Sequence, residues 1–349
     1  MQTRQTRLLD ALADPEVQYI VPVYQRVYSW TRPHCEALLR DSLVAAYEDR
    51  PHFVGTLLYR DAGTGGGVRE RSLIDGQQRL ATTALLALAL RDRMERDGLD
   101  VPEWLGSCLA VQADDGPRPK IVLSRPDEAT FSAIMLGGDF PEVKDTSELV
   151  IENASYFAQE LADPDLDARA LADGLSRLTV VAAELGPEDH PQLVFESLNA
   201  KGMPLKTSDL IRNLLLTRLD RDEQVRLFKR YWEPLEDRFD AIEAAEKAER
   251  EHKIGIPPQD RKVEWEGLAL DAALHAWLIE ESETARPATR AGLYDAFKNH
   301  VAEHPEVTLE ELLRSINASC NRFADGFDTP EAKEHIDWAI GKAEGFGGR

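Results

Sequence analysis

The sequence predicts an α+β fold in which a small sheet with helices is followed by a mostly α-helical region. Strand-like apolar runs occur only up to residue 185, and a helical period prevails from His190 onward. A glycine turn also joins a strand directly to a long apolar helix, from Gln78 to about Arg96. With 349 residues, of which 43% are hydrophobic, the chain can bury a large core in one large or two modest domains.

The first elements are a helix, a strand and a second helix. Residues 3–13 read as a short helix, and Val17–Val21 as a strand that ends at Pro22. Proline is favoured in the first turn of a helix, so Pro33 indicates a helix that continues to about Tyr47.

Two strands joined by a glycine-rich loop come next. His52–Arg60 and Val68–Ile74 are separated by residues 61–67 (DAGTGGG), which predict a long and mobile hairpin tip. No Gly-Lys-Ser/Thr follows these glycines, so they do not form a phosphate-binding P-loop. Lys120–Ser124 and Leu178–Leu185 predict two further strands.

Helical periodicity covers the second half of the chain. The predicted helices span residues 190–199, 207–219, 222–250, 263–281, 288–302, 308–325 and 330–344. Residues 251–261 are rich in proline and glycine and interrupt this pattern. We place a domain boundary after residue 220, which leaves residues 221–349 as a helical region.

Composition excludes several classes of protein. A formal net charge of −22 excludes a general nucleic-acid coat. No run approaches the 18 apolar residues of a membrane span, and the first residues lack the apolar core of a signal peptide. Three scattered cysteines, Cys35, Cys108 and Cys320, fit no zinc-site spacing and leave one unpaired in any disulfide scheme. We therefore expect a cytoplasmic protein that does not associate with membranes.

The charge is distributed unevenly along the chain. Residues 1–100 contain 13 Arg, no Lys and 14 acidic residues, a balance of −1, so the remainder carries −21. The first hundred residues are therefore where an anion is least repelled, and arginine suits bidentate phosphate contacts. The coding bias of a GC-rich genome is an alternative explanation for the arginine content.

The turn Asp75-Gly76-Gln77-Gln78-Arg79 is the strongest candidate site. It places a helix N-terminus and an arginine at one point, which suits an anionic ligand such as a phosphate. The carboxylate of Asp75 could hold a metal ion or orient a water molecule. A strand-to-helix turn with solvated polar side chains is the alternative.

A short loop before the second helix concentrates aromatic and polar side chains. Aromatic faces next to an arginine and a glutamine could stack on a base or bind a backbone phosphate. Alternatively, these aromatic residues close the edge of the core. The candidate DNA-contacting residues are Pro22, Val23, Tyr24, Gln25, Arg26, Tyr28 and Trp30.

A third motif, Phe195–Asn213, lies at the start of the helical half. One helix ends at Asn199–Gly202, and a second begins at Thr207 or Ser208. A DNA-binding helix–turn–helix is the alternative, but its recognition helix would be mostly apolar (LIRNLLL), which favours burial.

These segments together resemble a known family. The motifs Val21–Trp30, Phe53–Leu57, Asp75–Thr82 and Phe195–Asn213, in this order, are similar to the amino-terminal domain of GmrSD-type modification-dependent restriction enzymes and of SspE-type phosphorothioate-sensing defence proteins. The resemblance covers about residues 15–235.

The resemblance implies a mixed sheet similar to the ParB/sulfiredoxin fold in residues 1–220, which would bind and hydrolyse a nucleoside triphosphate. GTP is the expected substrate, and a preference for it over the other triphosphates is left open. Arg79 would neutralise phosphate charge, Asp75 would hold Mg²⁺ or position water, and Gln77 or Gln78 would orient the attacking water. The catalytic residues implied are Asp75, Gln78 and Arg79. The nucleotide-binding residues implied are Gly76, Gln77, Arg26 and Asn199.

The resemblance also implies modified DNA as a partner, and an apolar notch at Pro22, Val23 and Tyr24 would favour the weakly hydrated sulfur of a phosphorothioate. None of the eight histidines forms a nuclease motif, so we expect no HNH nuclease domain in this chain and no DNA cleavage by it. A nuclease domain or partner would then cut the DNA. Whether the chain also associates with copies of itself into a homo-oligomer is left open. A module that binds modified DNA without nucleotide turnover is the second functional interpretation.

Overall fold

The computed structural model describes residues 1–124, 126–138, 146–186, 188–189, 194, 206–217, 219–252, 267–282, 287 and 289–341. The chain divides into two compact units, Met1–Phe195 and Glu196–Arg349. The domain boundary expected after residue 220 stays a prediction.

The first unit contains a six-stranded mixed sheet and a separate two-stranded hairpin. The strands are β1 (Gln2–Arg7), β2 (Val17–Ile20), β3 (His52–Gly65), β4 (Val68–Asp75), β5 (Ala110–Ala113), β6 (Gly116–Pro119), β7 (Ile121–Val122) and β8 (Leu178–Leu185). The large sheet has the order β1-β8-β3-β4-β2-β7, and β5 pairs with β6. The β1/β8 and β3/β4 pairs are antiparallel, whereas β8/β3, β4/β2 and β2/β7 are parallel.

Helices of the first unit pack on this sheet and on one another. They are α1 (Leu8–Leu12), α2 (Arg32–Tyr47), α3 (Gln77–Arg96), α4 (Glu103–Ser107), α5 (Asp127–Leu136), α6 (Glu148–Glu160) and α7 (Ala168–Arg177). The apolar run of α3 is buried along most of its length. One buried cluster joins the sheet to this helix and includes Tyr19, Tyr59, Leu73, Val180 and Leu86. The junction between β4 and α3 therefore starts from an interior strand and leads into a buried helix.

The described part of the second unit is helical. Its helices are α8 (Thr207–Leu216), α9 (Arg221–Leu227), α10 (Glu233–His252), α11 (Leu268–Glu281), α12 (Arg290–Glu303), α13 (Leu309–Asp325) and α14 (Pro330–Ala339). A π-helical turn, Phe228–Trp232, joins α9 to α10, where the sequence predicts one continuous helix. An α+β fold with a mixed sheet followed by a helical region is thereby confirmed.

The first residues are a strand, and the helix predicted over residues 3–13 is wrong for most of its length. Gln2–Arg7 pairs with β8, and only Leu8–Leu12 is helical. Glutamine and arginine are good helix formers, but pairing with a strand about 180 residues away overrides that local preference.

The tip of the β3–β4 hairpin is a two-residue turn, so the prediction of a long connecting loop is wrong, whereas the mobility predicted for the tip stays a prediction. β3 continues to Gly65, and the turn consists of Gly66 and Gly67, whose φ values of +59° and +79° suit a two-residue hairpin turn. The main-chain N–H of Asp114 donates to the carbonyl of Gly66 at 2.9 Å. Arg118 donates to the carbonyl of Gly65 at 3.2 Å. The β5–β6 hairpin therefore holds the tip.

Several other predictions are settled or left open by the described residues. All three cysteines are free and buried. In the ranges that the structure describes, no helix is long and apolar enough to cross a membrane. The helix predicted over residues 190–199 and the interruption over 251–261 lie almost wholly outside those ranges.

Candidate functional site

The junction between β4 and α3 is built around Gly76. Its φ of +97° belongs to the left-handed region that glycine tolerates, and a Cβ at this position would lie 3.1 Å from the carbonyl oxygen of Thr56. Helix α3 begins at the next residue, and no side chain caps its N-terminus. The first N–H groups of a helix lack intrahelical partners, so this end of α3 can donate to an anion.

Asp75 and Arg79 meet at a single residue of β3, Thr56. The Thr56 hydroxyl donates to Oδ2 of Asp75 at 3.1 Å. Nη1 of Arg79 donates to the Thr56 carbonyl at 2.7 Å. Burial lowers the pKa of Arg79, and the charge of Asp75 opposes that shift. The structure thus brings a carboxylate and a partly desolvated guanidinium together beside the N-terminus of α3.

Gln77 is buried but its amide is only weakly bonded. Its Nε2 lies 3.5 Å from Oε1 of Gln25, the upper limit for a hydrogen bond. Oε1 of Gln77 is buried and has no hydrogen-bond partner among the described residues. Gln25 donates in turn to the carbonyl of Ile74 at 3.1 Å, on the strand that leads into the turn. A buried amide oxygen without a donor is costly unless a water or a ligand supplies one.

Gln78 has a different environment from its neighbour, because both polar atoms of its amide bond to the Pro22–Trp30 loop. Oε1 accepts from the main-chain N–H groups of Ser29 at 2.8 Å and Trp30 at 3.2 Å. Nε2 donates to the carbonyl of Val27 at 3.0 Å. Gln78 therefore fixes the conformation of the loop relative to α3.

Tyr28 anchors the same loop to three helices. Its hydroxyl lies 2.6 Å from Oγ1 of Thr82 on α3 and accepts from Nδ2 of Asn153 on α6 at 3.0 Å. Asn153 also donates to the carbonyl of Trp30 at 2.6 Å. The main-chain N–H of Tyr28 donates to Asp127 of α5 at 2.6 Å. Burial raises the pKa of both Tyr28 and Asp127.

The loop residues expected to contact DNA divide by exposure. Val23, Arg26 and Trp30 are half-buried, and Val27 between them is 45% exposed. The Trp30 ring stacks on His34 with centroids 5.5 Å apart and an interplanar angle of 13°. The remaining four are buried and support the loop from within: Pro22, Tyr24, Gln25 and Tyr28.

The described part of the third motif is a buried structural element of the second unit, as its apolar pattern predicts. Arg212 is 4% exposed and forms ion pairs with Asp209 at 2.9 Å and with Glu236. The Ser208 N–H donates to Asp271 at 2.8 Å, which caps the start of α8. Asn199, the fourth expected nucleotide-binding residue, lies outside the described residues.

A magnesium ion would find one protein carboxylate at the turn, that of Asp75. Over the described ranges, no group of three or more His, Cys, Asp or Glu side chains could hold a metal ion. Mg²⁺ commonly uses one or two carboxylates together with the phosphates of a substrate. The site is therefore compatible with a metal that arrives with a nucleotide.

Residues 8–216 match the family described as the GmrSD restriction endonuclease N-terminal domain, which is more than half of the chain. The chain belongs to this family. Membership confirms the resemblance and connects the chain to a restriction system, in which a nuclease domain is the implied partner. The match covers the Pro22–Trp30 loop, the Asp75–Arg79 turn and the whole third motif. No curated protein matches the chain.

Sequence reasoning missed the residues that hold the family's motifs in place. Thr56 lies inside the Phe53–Leu57 motif, so that motif was an available signal. Asp127, Asn153 and Thr82 contact the loop from three helices. Nothing in the sequence around Asp127 or Asn153 marks either residue, because their partners are about 100 or more residues away.

Proposed function

We propose that the first unit binds and hydrolyses a nucleoside triphosphate at the Asp75–Arg79 turn, and that its Pro22–Trp30 loop senses modified DNA. Nucleotide turnover would regulate the nuclease domain or partner of the restriction system. The observation that carries the proposal is the junction itself. An uncapped helix N-terminus, a desolvated arginine, a carboxylate and a buried amide oxygen without a partner occur within five consecutive residues.

This junction favours a ligand that carries the negative charge of phosphate groups. Burial disfavours the charged form of Arg79, so an anion that pairs with its guanidinium restores part of the lost solvation. The N–H groups at the start of α3 add donors, and Gly76 allows a phosphate to approach the backbone closely.

Two side chains remain for the chemistry of hydrolysis. Asp75 would hold Mg²⁺, which neutralises charge on the β- and γ-phosphates when it is bound. Gln77 is the better choice for orienting the attacking water, because its buried oxygen lacks a donor whereas the oxygen of Gln78 already accepts two hydrogen bonds from the loop. Arg26 would add a second cation from the neighbouring loop, and GTP is the preferred substrate of this proposal.

Modified DNA would contact the partly exposed side chains of the loop. Trp30, already stacked on His34, offers an aromatic surface, and Arg26 offers a phosphate contact. Val23 and Val27 supply apolar surface for a weakly hydrated group such as the sulfur of a phosphorothioate.

Phosphate release tests the enzymatic proposal. The wild type is incubated with each of the four triphosphates and Mg²⁺, beside the variants Asp75→Ala and Arg79→Ala. Arg40→Ala is the matched control, because that side chain is 70% exposed on α2. We expect turnover by the wild type and the control, and a loss of about 100-fold in the two site variants. Equal turnover in all four proteins would refute the assignment, and so would an inactive wild type.

DNA affinity tests the sensing role and separates it from turnover. Binding of phosphorothioate and ordinary duplexes of one sequence is measured by fluorescence anisotropy over a range of salt concentrations. We expect tighter binding of the modified duplex, weaker binding by Trp30→Ala, and a smaller salt dependence for Arg26→Ala. DNA binding by a protein that shows no turnover would favour the second interpretation, a binding module. Equal affinity for both duplexes would remove the phosphorothioate preference.

A further inference from the structure

Strand β3 contains a bulge opposite β8, close to the Asp75–Arg79 turn. Phe53 pairs with Thr179 and Thr56 pairs with Val181, so three steps along β3 correspond to two steps along β8. The bulge contains Gly55, whose φ of +118° is rarely adopted by residues with a side chain. A bulge of this kind redirects the residues that follow it.

Gly55 leaves the space that the guanidinium of Arg79 occupies. A Cβ built on Gly55 would lie 2.5 Å from Nη2 and 2.9 Å from Cζ of Arg79. A Cβ does not approach non-bonded nitrogen or carbon atoms that closely, so any other residue at this position would displace the guanidinium or the strand. The absence of a side chain at Gly55 is thus a condition for the observed position of Arg79.

Thr56, the next residue, bonds to both charged groups. Its carbonyl accepts from Nη1 of Arg79 at 2.7 Å, and its hydroxyl donates to Oδ2 of Asp75 at 3.1 Å. A Cβ on Gly76 would lie 3.1 Å from the same carbonyl oxygen, so the glycine at position 76 also leaves space for Thr56. One residue of β3 therefore sets the positions of the carboxylate and the guanidinium on the turn.

We infer that Gly55 and Thr56 are positioning residues of the nucleotide site: Gly55 admits the Arg79 guanidinium, and the Thr56 hydroxyl orients the Asp75 carboxylate toward a phosphate-bound Mg²⁺. This inference rests on the function proposed above. The two residues act on different ligands of the site. Loss of the Thr56 hydroxyl alters the response to Mg²⁺, and a side chain at Gly55 alters the binding of the triphosphate.

The pair Thr56→Val and Thr56→Ser tests the hydroxyl. Valine keeps the shape and the carbonyl bond to Arg79 but removes the donor to Asp75, and serine retains that donor. Turnover of GTP is measured against Mg²⁺ concentration, and binding of a non-hydrolysable GTP analogue is measured by calorimetry with Mg²⁺ and with EDTA. We expect the valine variant to need about tenfold more Mg²⁺ and to bind the analogue normally in EDTA. The serine variant should match the wild type within about twofold.

A purely structural role for Thr56 would lower the unfolding temperature of the valine variant and leave its Mg²⁺ requirement unchanged. That result would overturn the inference. If the wild type neither binds the analogue nor releases phosphate, the proposed function fails instead, and a measurement without nucleotide then decides the part that concerns Gly55.

That measurement is a double-mutant cycle of Gly55→Ala with Arg79→Ala, in which the unfolding temperatures of the wild type, both single variants and the double variant are compared. Backbone strain from the alanine is the same in both backgrounds, so the difference isolates its clash with the guanidinium. We expect the unfolding temperature to fall about 2–4 °C less when Arg79 is absent. Equal decreases would overturn the role of Gly55. If neither variant folds, the Thr56 pair decides the inference.

Discussion

The adjacent residues Gln77 and Gln78 should respond in opposite ways to replacement by alanine. The Gln78 side chain makes three hydrogen bonds to the loop, at 2.8, 3.2 and 3.0 Å. At about 1 kcal/mol net for each bond, Gln78→Ala should cost about 3 kcal/mol of unfolding free energy. For a unit of this size, that loss lowers the unfolding temperature by roughly 6–12 °C. Gln77 makes one contact, at 3.5 Å, so Gln77→Ala should cost less than about 1 kcal/mol.

Turnover should show the reverse order at a temperature where both variants are folded. Gln77→Ala should slow phosphate release by about 100-fold, because the attacking water loses its acceptor. The Gln78 variant should retain more activity than the Gln77 variant. Thermal unfolding by circular dichroism and phosphate release on the same preparations provide the two measurements. Equal stability of the two variants, or greater loss of activity in the Gln78 variant, would refute the assignment of separate roles.

Three further changes test the packing of each unit. Burial lowers the pKa of Lys120 to about 8 from 10.5, so between these pH values the unfolded chain binds more protons than the folded one. The unfolding free energy of the wild type should therefore rise by up to about 3 kcal/mol over this range. Urea titrations at several pH values should show a smaller rise for Lys120→Met. Arg212→Leu removes the buried ion pairs with Asp209 and Glu236 and should cost about 3–5 kcal/mol, whereas an unchanged urea midpoint would show that the ion pairs contribute nothing. Tyr28→Phe removes two buried hydrogen bonds and should cost about 1–3 kcal/mol by urea titration, with an unaltered midpoint as the contrary result.

Elements with strong local patterns were predictable from the sequence. The helix predicted to begin at Gln78 begins at Gln77 and ends at Arg96, because its apolar run is buried and its preceding glycine marks the start. The helix opened by Pro33 was also predicted within one residue, since proline and a capping box define its first turn. Strand β8 followed from its apolar run, and β4 from its place in a hairpin with β3.

Elements whose structure depends on distant partners were not predictable. Nothing near Gln2–Arg7 reveals that its partner strand lies about 180 residues later. The glycines at 65–67 predict a long loop by composition, but β3 continues to Gly65, and Arg118 and Asp114 of another hairpin bind that tip. Local pattern describes what a segment prefers, and these two segments are decided by what they contact.

The candidate site shows the same division. Asp75, Gly76 and Arg79 were predictable, because a turn of this composition after a strand has a direct chemical meaning. The different environments of Gln77 and Gln78 were not, since two identical neighbours differ only through the loop that one of them bonds. Asp127 and Asn153 are single polar residues on helices, so only the fold reveals that they hold the loop.

The pairing of the first strand with the last strand of the sheet affects how this unit is made. On the ribosome, Gln2–Arg7 has no partner until Leu178–Leu185 has left the exit tunnel, so the sheet cannot close until nearly the whole unit has been synthesised. Until β8 has been synthesised, the polar, arginine-bearing first strand has no partner and remains in water. Charged and polar strands are poor templates for aggregation, so the lack of large apolar side chains in Gln2–Arg7 suits a segment that stays unpaired during synthesis.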